Sequence, residues 1–116
     1  MLQRILPNGS LHIADNVFLV IVALAIKEIQ GVAGTVKGIV GDIVRIRNKN
    51  FSNGITIEHS ENGVKIEIKV ALYYGVNIRK TCLQIQQLVH EEVEAMMGIN
   101  VQEINIKVEQ VIVKPA

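Results

Sequence analysis

The stretch Leu72-Tyr73-Tyr74-Gly75-Val76-Asn77-Ile78 runs into a helix-patterned segment that closes with Met96-Met97-Gly98-Ile99-Asn100-Val101, and it decides the fold. It reads as a strand, a capped helix and a returning strand. The helix spans Ile78 to about Met97, with a seam of Ile78, Cys82, Ile85, Val89, Val93 and Met96 at steps of three and four. Asn77 has a side-chain oxygen suited to capping the first turn, and Gly98 suits the left-handed position beyond the last. Nothing in this unit supplies a nucleophile, a metal cage or a phosphate loop, so its residue chemistry describes a compact domain without assigning it a task.

Upstream, Ile55–His59 and Val64–Tyr73 alternate apolar and polar residues around Asn62-Gly63, a dipeptide suited to a two-residue hairpin turn. A turn centred there sets Ile57 opposite Ile68 and Ile55 opposite Val70, and it sets Glu58 against Glu67, a like-charge pair tolerable on a wet face. Downstream, Ile104, Ile106 and Val108 alternate with Asn105, Lys107 and Glu109. Parity slips at Gln102-Glu103 and again near Gln110, where bulges are expected. Because one sheet face is charged on the hairpin and on the last strand, the helices belong on the other. The expected fold is α+β, a two-layer sandwich. Its small mixed sheet has about three main strands, the hairpin plus the C-terminal strand, with two main helices on one face. An unshielded edge of such a sheet is available to pair with another chain.

The first helix is expected from Asp15 to about Ile29, after a short Leu11–Ile13 strand, and Gly31 and Gly34 end it. Its ten-residue apolar run Val17–Ile26 is too short to span a membrane. A signal-peptide reading fails on Pro7, Gly9, His12 and Asp15, which put a polar, turn-rich region where a short basic one should lead into the apolar segment. Val17, Phe18, Ile21, Leu24 and Ala25 form one face of this helix. Leu19, Val20, Ala23 and Ile26 fall on the other, and a helix apolar all round is covered on more than one side. Those four residues are the candidate interaction surface.

The whole chain, 116 residues, reads as a single domain. Twelve basic and eleven acidic residues leave a formal charge of +1, which gives no global field for nucleic acid or anionic lipid. One cysteine forms no internal disulfide, so a cytoplasmic setting is the default. Cys82 lies in the apolar seam and reads as core.

Other constellations are weaker. Gly38-Ile39-Val40-Gly41 with Arg45 and Arg47 imitates the loop by which KH domains clamp single-stranded RNA, although its two central residues are apolar and aromatics for stacking are few. The surrounding segment, residues 37–50, reads as a short helix or irregular connection. Gly31–Gly38 lacks the order of a phosphate loop. His90 and Glu94 share a helix face but make only half of a metal site, and Glu91, Glu92 and Glu94 read as a solvated face. No catalytic triad can be assembled from Asp15, Asp42 and three scattered histidines. No cofactor, metal ligand or small-molecule substrate is called for.

The order of motifs resembles the alkaline-shock-protein family of envelope stress response proteins, over about residues 9–113. The resemblance rests on Ile13-Ala14-Asp15, on Glu28-Ile29-Gln30-Gly31-Val32-Ala33-Gly34, and above all on Tyr74-Gly75-Val76-Asn77-Ile78. It continues through Ile85-Gln86, Val89, Val93, Met97-Gly98, Val101 and Ile104-Asn105-Ile106. It departs at Arg79, where a proline is common, and in the strongly apolar Val17–Ile26 run. The resemblance implies a non-catalytic scaffold that self-associates or docks on a membrane-anchored protein, in the cytoplasm and peripherally at the inner face of the membrane. The alternatives are a KH-like RNA-binding module and an accessory subunit of a lipid or cell-wall enzyme.

Overall fold

A computed structural model describes residues 2–35 and 54–114. In chain order the elements are β1 (Leu2–Leu6), β2 (Gly9–Ile13), α1 (Asp15–Lys27), β3 (Val32–Thr35), β4 (Ile55–Ser60), β5 (Gly63–Tyr73), α2 (Ile78–Met97) and β6 (Val101–Ile112). The central strand is β5. β6 runs parallel along one side of it, and on the other β4 pairs antiparallel with Gly63–Ile68 and β3 with Val70–Leu72. The sheet is therefore mixed and three strand positions wide, with β3 and β4 end to end. This is the expected α+β sandwich, built from one more strand than the alternation revealed.

Alternation along β5 fixes the layers. Val64, Ile66, Ile68, Val70 and Leu72 are fully buried and join Phe18, Val22 and Ile26 of α1 and Ile85, Val89 and Val93 of α2 in one core. Lys65, Glu67 and Lys69 take the opposite, charged face, where Lys107 Nζ lies 3.0 Å from Glu67 Oε1. Asn77 Oδ1 accepts the Lys80 amide at 3.0 Å, and Gly98 adopts φ +65° after the last turn, so both ends of α2 are satisfied as its sequence implies.

The hairpin register differs from the expected one by two residues. Ser60 pairs with Gly63, which puts the turn at Glu61-Asn62, and Ile55 faces Ile68 while Ile57 faces Ile66. A two-residue slip keeps every side chain on its face, so hydrophobic pattern cannot distinguish the two registers. Charge and sterics can. Glu58 now opposes Lys65 and the Glu58–Glu67 clash disappears. Gly63, freed from the turn, adopts φ +139° and admits the Asn100 carbonyl, whose oxygen would lie only 2.1 Å from a Cβ. That carbonyl accepts the Val64 amide at 3.0 Å and starts the β5–β6 ladder. The two expected bulges are present, as register shifts after Val101 and after Val108.

The buried faces of both helices match expectation only in part; in α2, Ile85, Val89 and Val93 are fully buried as expected. In α2 the buried stripe is Thr81, Ile85, Val89, Val93 and Met97, while Ile78 and Met96 are exposed and Cys82 is half-buried. A strict i+4 stripe drifts around the helix, and it carries Cys82 out of the core to the side facing β6. In α1, Ala23 and Ile26 are inside the core and Leu19 and Val20 are half-buried against it, whereas Val17 and Leu24 are each 42% exposed. Leu2, at the base of the β1–β2 hairpin, joins the core, and its partner Ile13 packs against it. The helix ends at Lys27, two residues before Ile29, and the Glu28 and Ile29 amides close onto Ala25 and Ile26. Beyond Leu2 and Ile13 the hairpin stands in solvent, with Ile5 92% exposed. Its first strand is not legible from its period, because Leu2, Ile5 and Leu6 fall at helical rather than strand spacing.

Candidate interaction surfaces

The two motif segments meet in space. The α1–β3 turn, Glu28–Val32, and the end of β5 through Val76 form the floor of a cleft of about 1000 Å³, and Lys80, Gln87 and Glu91 of α2 form one wall. The Tyr73 amide donates to the Gly31 carbonyl at 2.8 Å, and a Cβ on Gly31 would lie 2.8 Å from Val76 Cγ1. Gly31 also holds φ +95°, so backbone angle and packing both call for glycine. Lys114 Nζ sits 5.5 Å from the Tyr73 ring centroid, and Glu28 and Glu91 balance Lys80 and Lys114 around the cleft. Its walls are amides, tyrosines and mixed charge, which can hold a polar surface but pair no nucleophile with a base.

A second surface is the outer edge of β6. Among the described residues, this twelve-residue strand is paired along one side only. Its open-face residues set Glu103 and Lys107, of opposite charge, on either side of the neutral Asn105, and the Asn105 side-chain amide donates to Glu103 at 3.3 Å. On the helix side, two hollows of about 340 and 590 Å³ follow the seam between α2 and β6. Both are lined by Leu83, Gln86 and Ile104, and Leu83 is 51% exposed. Gln86 Nε2 donates to the Ile104 carbonyl at 3.0 Å.

Two histidines tie helices to strands. His59 Nε2 lies 2.7 Å from Asp15 Oδ1, and its ring meets Phe18 edge-on at 5.8 Å. Burial pushes the Asp15 carboxyl up, but the His59 hydrogen bond and charge pull it below its ordinary value. His90 lies 3.1 Å from Glu94, whose other contact is the Val101 amide at 3.1 Å, so this helix pair also anchors the start of β6. Among the described residues no group of three or more His, Cys, Asp or Glu could hold a metal ion. Burial raises the Cys82 thiol pKa.

Of the four residues expected to form an interaction surface, Ala23 and Ile26 belong to the core, and only Leu19 and Val20 keep accessible area. Gly38, Gly41, Arg45 and Arg47 lie outside the described residues, as does the rest of 37–50. Leu83, Asn105 and Lys107 were not singled out from sequence, because edge position follows from strand order, which alternation does not encode.

The described residues form a two-layer α+β module with an open strand edge and half-exposed apolar residues beside it, and among them no helix is long and apolar enough to cross a membrane. Residues 6–113 match the alkaline-shock-protein family model, described as having a cell envelope-related function, and the chain belongs to that family. It is 25% identical over 107 residues to the Streptococcus pyogenes serotype M6 protein Spy1614, covering 90% of this chain and 88% of that one. It is 28% identical to YqhY of Bacillus subtilis, over 86% of this chain and 75% of that protein. A stress response regulator gls24 homolog of Streptococcus pyogenes serotype M3 is 25% identical, over 87% of this chain but 58% of the longer relative. No solved structure matches the chain.

Proposed function

We propose that this protein is a non-catalytic interaction module of the envelope stress response, which self-associates or docks on a membrane-anchored protein through the outer edge of β6. The single observation behind this reading is the twelve-residue strand with one unpaired side among the described residues. Unpaired strand edges invite another chain unless they are short, shielded or rich in like charge. β6 is long, and its edge-proximal charges alternate in sign.

The test is recovery of the tagged chain from gently solubilised cells of its source, beside a variant carrying Glu103→Lys and Asn105→Lys, two gatekeeper charges on the open edge. Loss of co-purifying protein from a variant that melts like the parent supports the reading. Undiminished recovery of the same proteins overturns it.

A further inference from the structure

The geometry points to a second copy of this chain as the occupant of the β6 edge, paired antiparallel about a twofold axis through Asn105; this rests on the edge reading above. The regular part of β6 between its bulges is residues 103–108. A twofold axis normal to the sheet keeps facing side chains on the same side only if the paired residue numbers have an even sum. Centred on Asn105, the pairing sets Glu103 of each copy opposite Lys107 of the other, Ile104 opposite Ile106, and Asn105 opposite itself. A slip centred on Ile106 puts Glu103 against Glu109, and one centred on Ile104 puts Lys107 against Val101. Only the Asn105 register is complementary in charge and in apolar character at every position from 103 to 107.

The helix layer agrees with this. The same axis places the two α2 helices antiparallel on one face of a continuous sheet, bringing the half-exposed Leu83 of each toward the hollows beside Ile104. The Gln86 hydrogen bond to the Ile104 carbonyl does not obstruct pairing, since a carbonyl oxygen accepts two hydrogen bonds. Lys107, already 3.0 Å from Glu67 of its own chain, would join a Glu67–Lys107–Glu103 row crossing the seam twice.

The experiment uses the full chain with Cys82→Ser, into which single cysteines are placed. Directly opposed residues sit about 4.5–5.5 Å apart, within disulfide range. Asn105→Cys is expected to form a dimer on mild oxidation. Glu103→Cys and Lys107→Cys are expected to form no intermolecular disulfide alone and to cross-link when mixed. By sizing, Glu103→Lys should raise the dimer dissociation constant about tenfold, with Glu103→Lys combined with Lys107→Glu restoring it. Self-cross-linking of Glu103→Cys without Asn105→Cys overturns the register. A parent that remains monomeric at every concentration and does not cross-link at residue 105 overturns the second-copy occupant. In that case the lysine edge variant separates the two ideas: if it still loses its co-purifying proteins the edge stands with another partner, and if it keeps them both readings fall.

Discussion

Replacing Gly63 by alanine should damage the domain far more than the added methyl group suggests. A Cβ at this position would stand 2.1 Å from the Asn100 oxygen, where ordinary contact begins near 3.4 Å, so the backbones must separate by about 1.3 Å. That separation breaks the 3.0 Å Val64 to Asn100 hydrogen bond and strands the amide of a fully buried residue. An orphaned buried donor costs about 1–3 kcal/mol, and a non-glycine residue held at φ +139° costs about 1–3 kcal/mol more. The total, about 2–6 kcal/mol, is a large share of a typical domain stability of about 5–15 kcal/mol. At about 4 °C per kcal/mol, Tm should fall by roughly 8–24 °C. Gly98→Ala is the control: it sits at φ +65° with nothing within 4 Å of its Cβ, so only the left-handed backbone term of about 1–2 kcal/mol applies. Thermal melts of the two variants, with hydrogen exchange at Val64 and neighbouring β5 amides, provide the comparison. A Gly63→Ala protein no less stable than Gly98→Ala would refute the close approach of β5 to the Asn100 carbonyl.

Other perturbations follow from burial and pairing. Ile26→Glu should unfold the domain, because an unpaired charge at a fully buried site costs several kcal/mol, whereas Leu24→Glu, two residues away and 42% exposed, should change stability by no more than about 0.5 kcal/mol; denaturant titrations that rank them the other way would contradict the orientation of α1. The Asp15 carboxyl has a lowered pKa in the folded state, so its stabilising contribution is complete above the unfolded value of 3.8 and is lost as pH falls through the folded one. Removing Asp15 with Asn should therefore flatten the acid limb of a stability-versus-pH curve, and an unchanged limb would dismiss the pair. Burial raises the Cys82 pKa, so alkylation by a small reagent should be slower than for a free thiol at the same pH and should still be rising past 9.0, where the rate of a free thiol levels off. Alkylation matching the free thiol at neutral pH would place Cys82 in open solvent.

The extent to which this fold was legible follows from which physical signals are local. The caps Asn77 and Gly98, the parity slips in β6 and the alternation of β5 are short-range signals, and each has its expected counterpart. The hairpin register was not legible because both candidate pairings bury the same face, and the deciding contact, Gly63 against Asn100, is 37 residues distant in the chain. The outer side of α1 could not be read from a helix apolar all round, since such a helix does not encode which of its sides the rest of the fold covers. The family motifs were legible as text, while their meeting in one cleft through Gly31 and Val76 emerges only in three dimensions. The edge of β6 is the extreme case: its alternation is evident, but its unpaired side is a property of the whole sheet.

The central claim, that this protein works by pairing through the outer edge of β6, is tested most directly by placing a photo-activatable cross-linking residue at Asn105 in living cells of the source, with the same residue at Gln84 in the cleft wall for comparison. Covalent adducts to protein are expected from position 105, reduced when Glu103→Lys is added. Adducts from position 84 with none from position 105 would contradict it and move the interaction to the cleft.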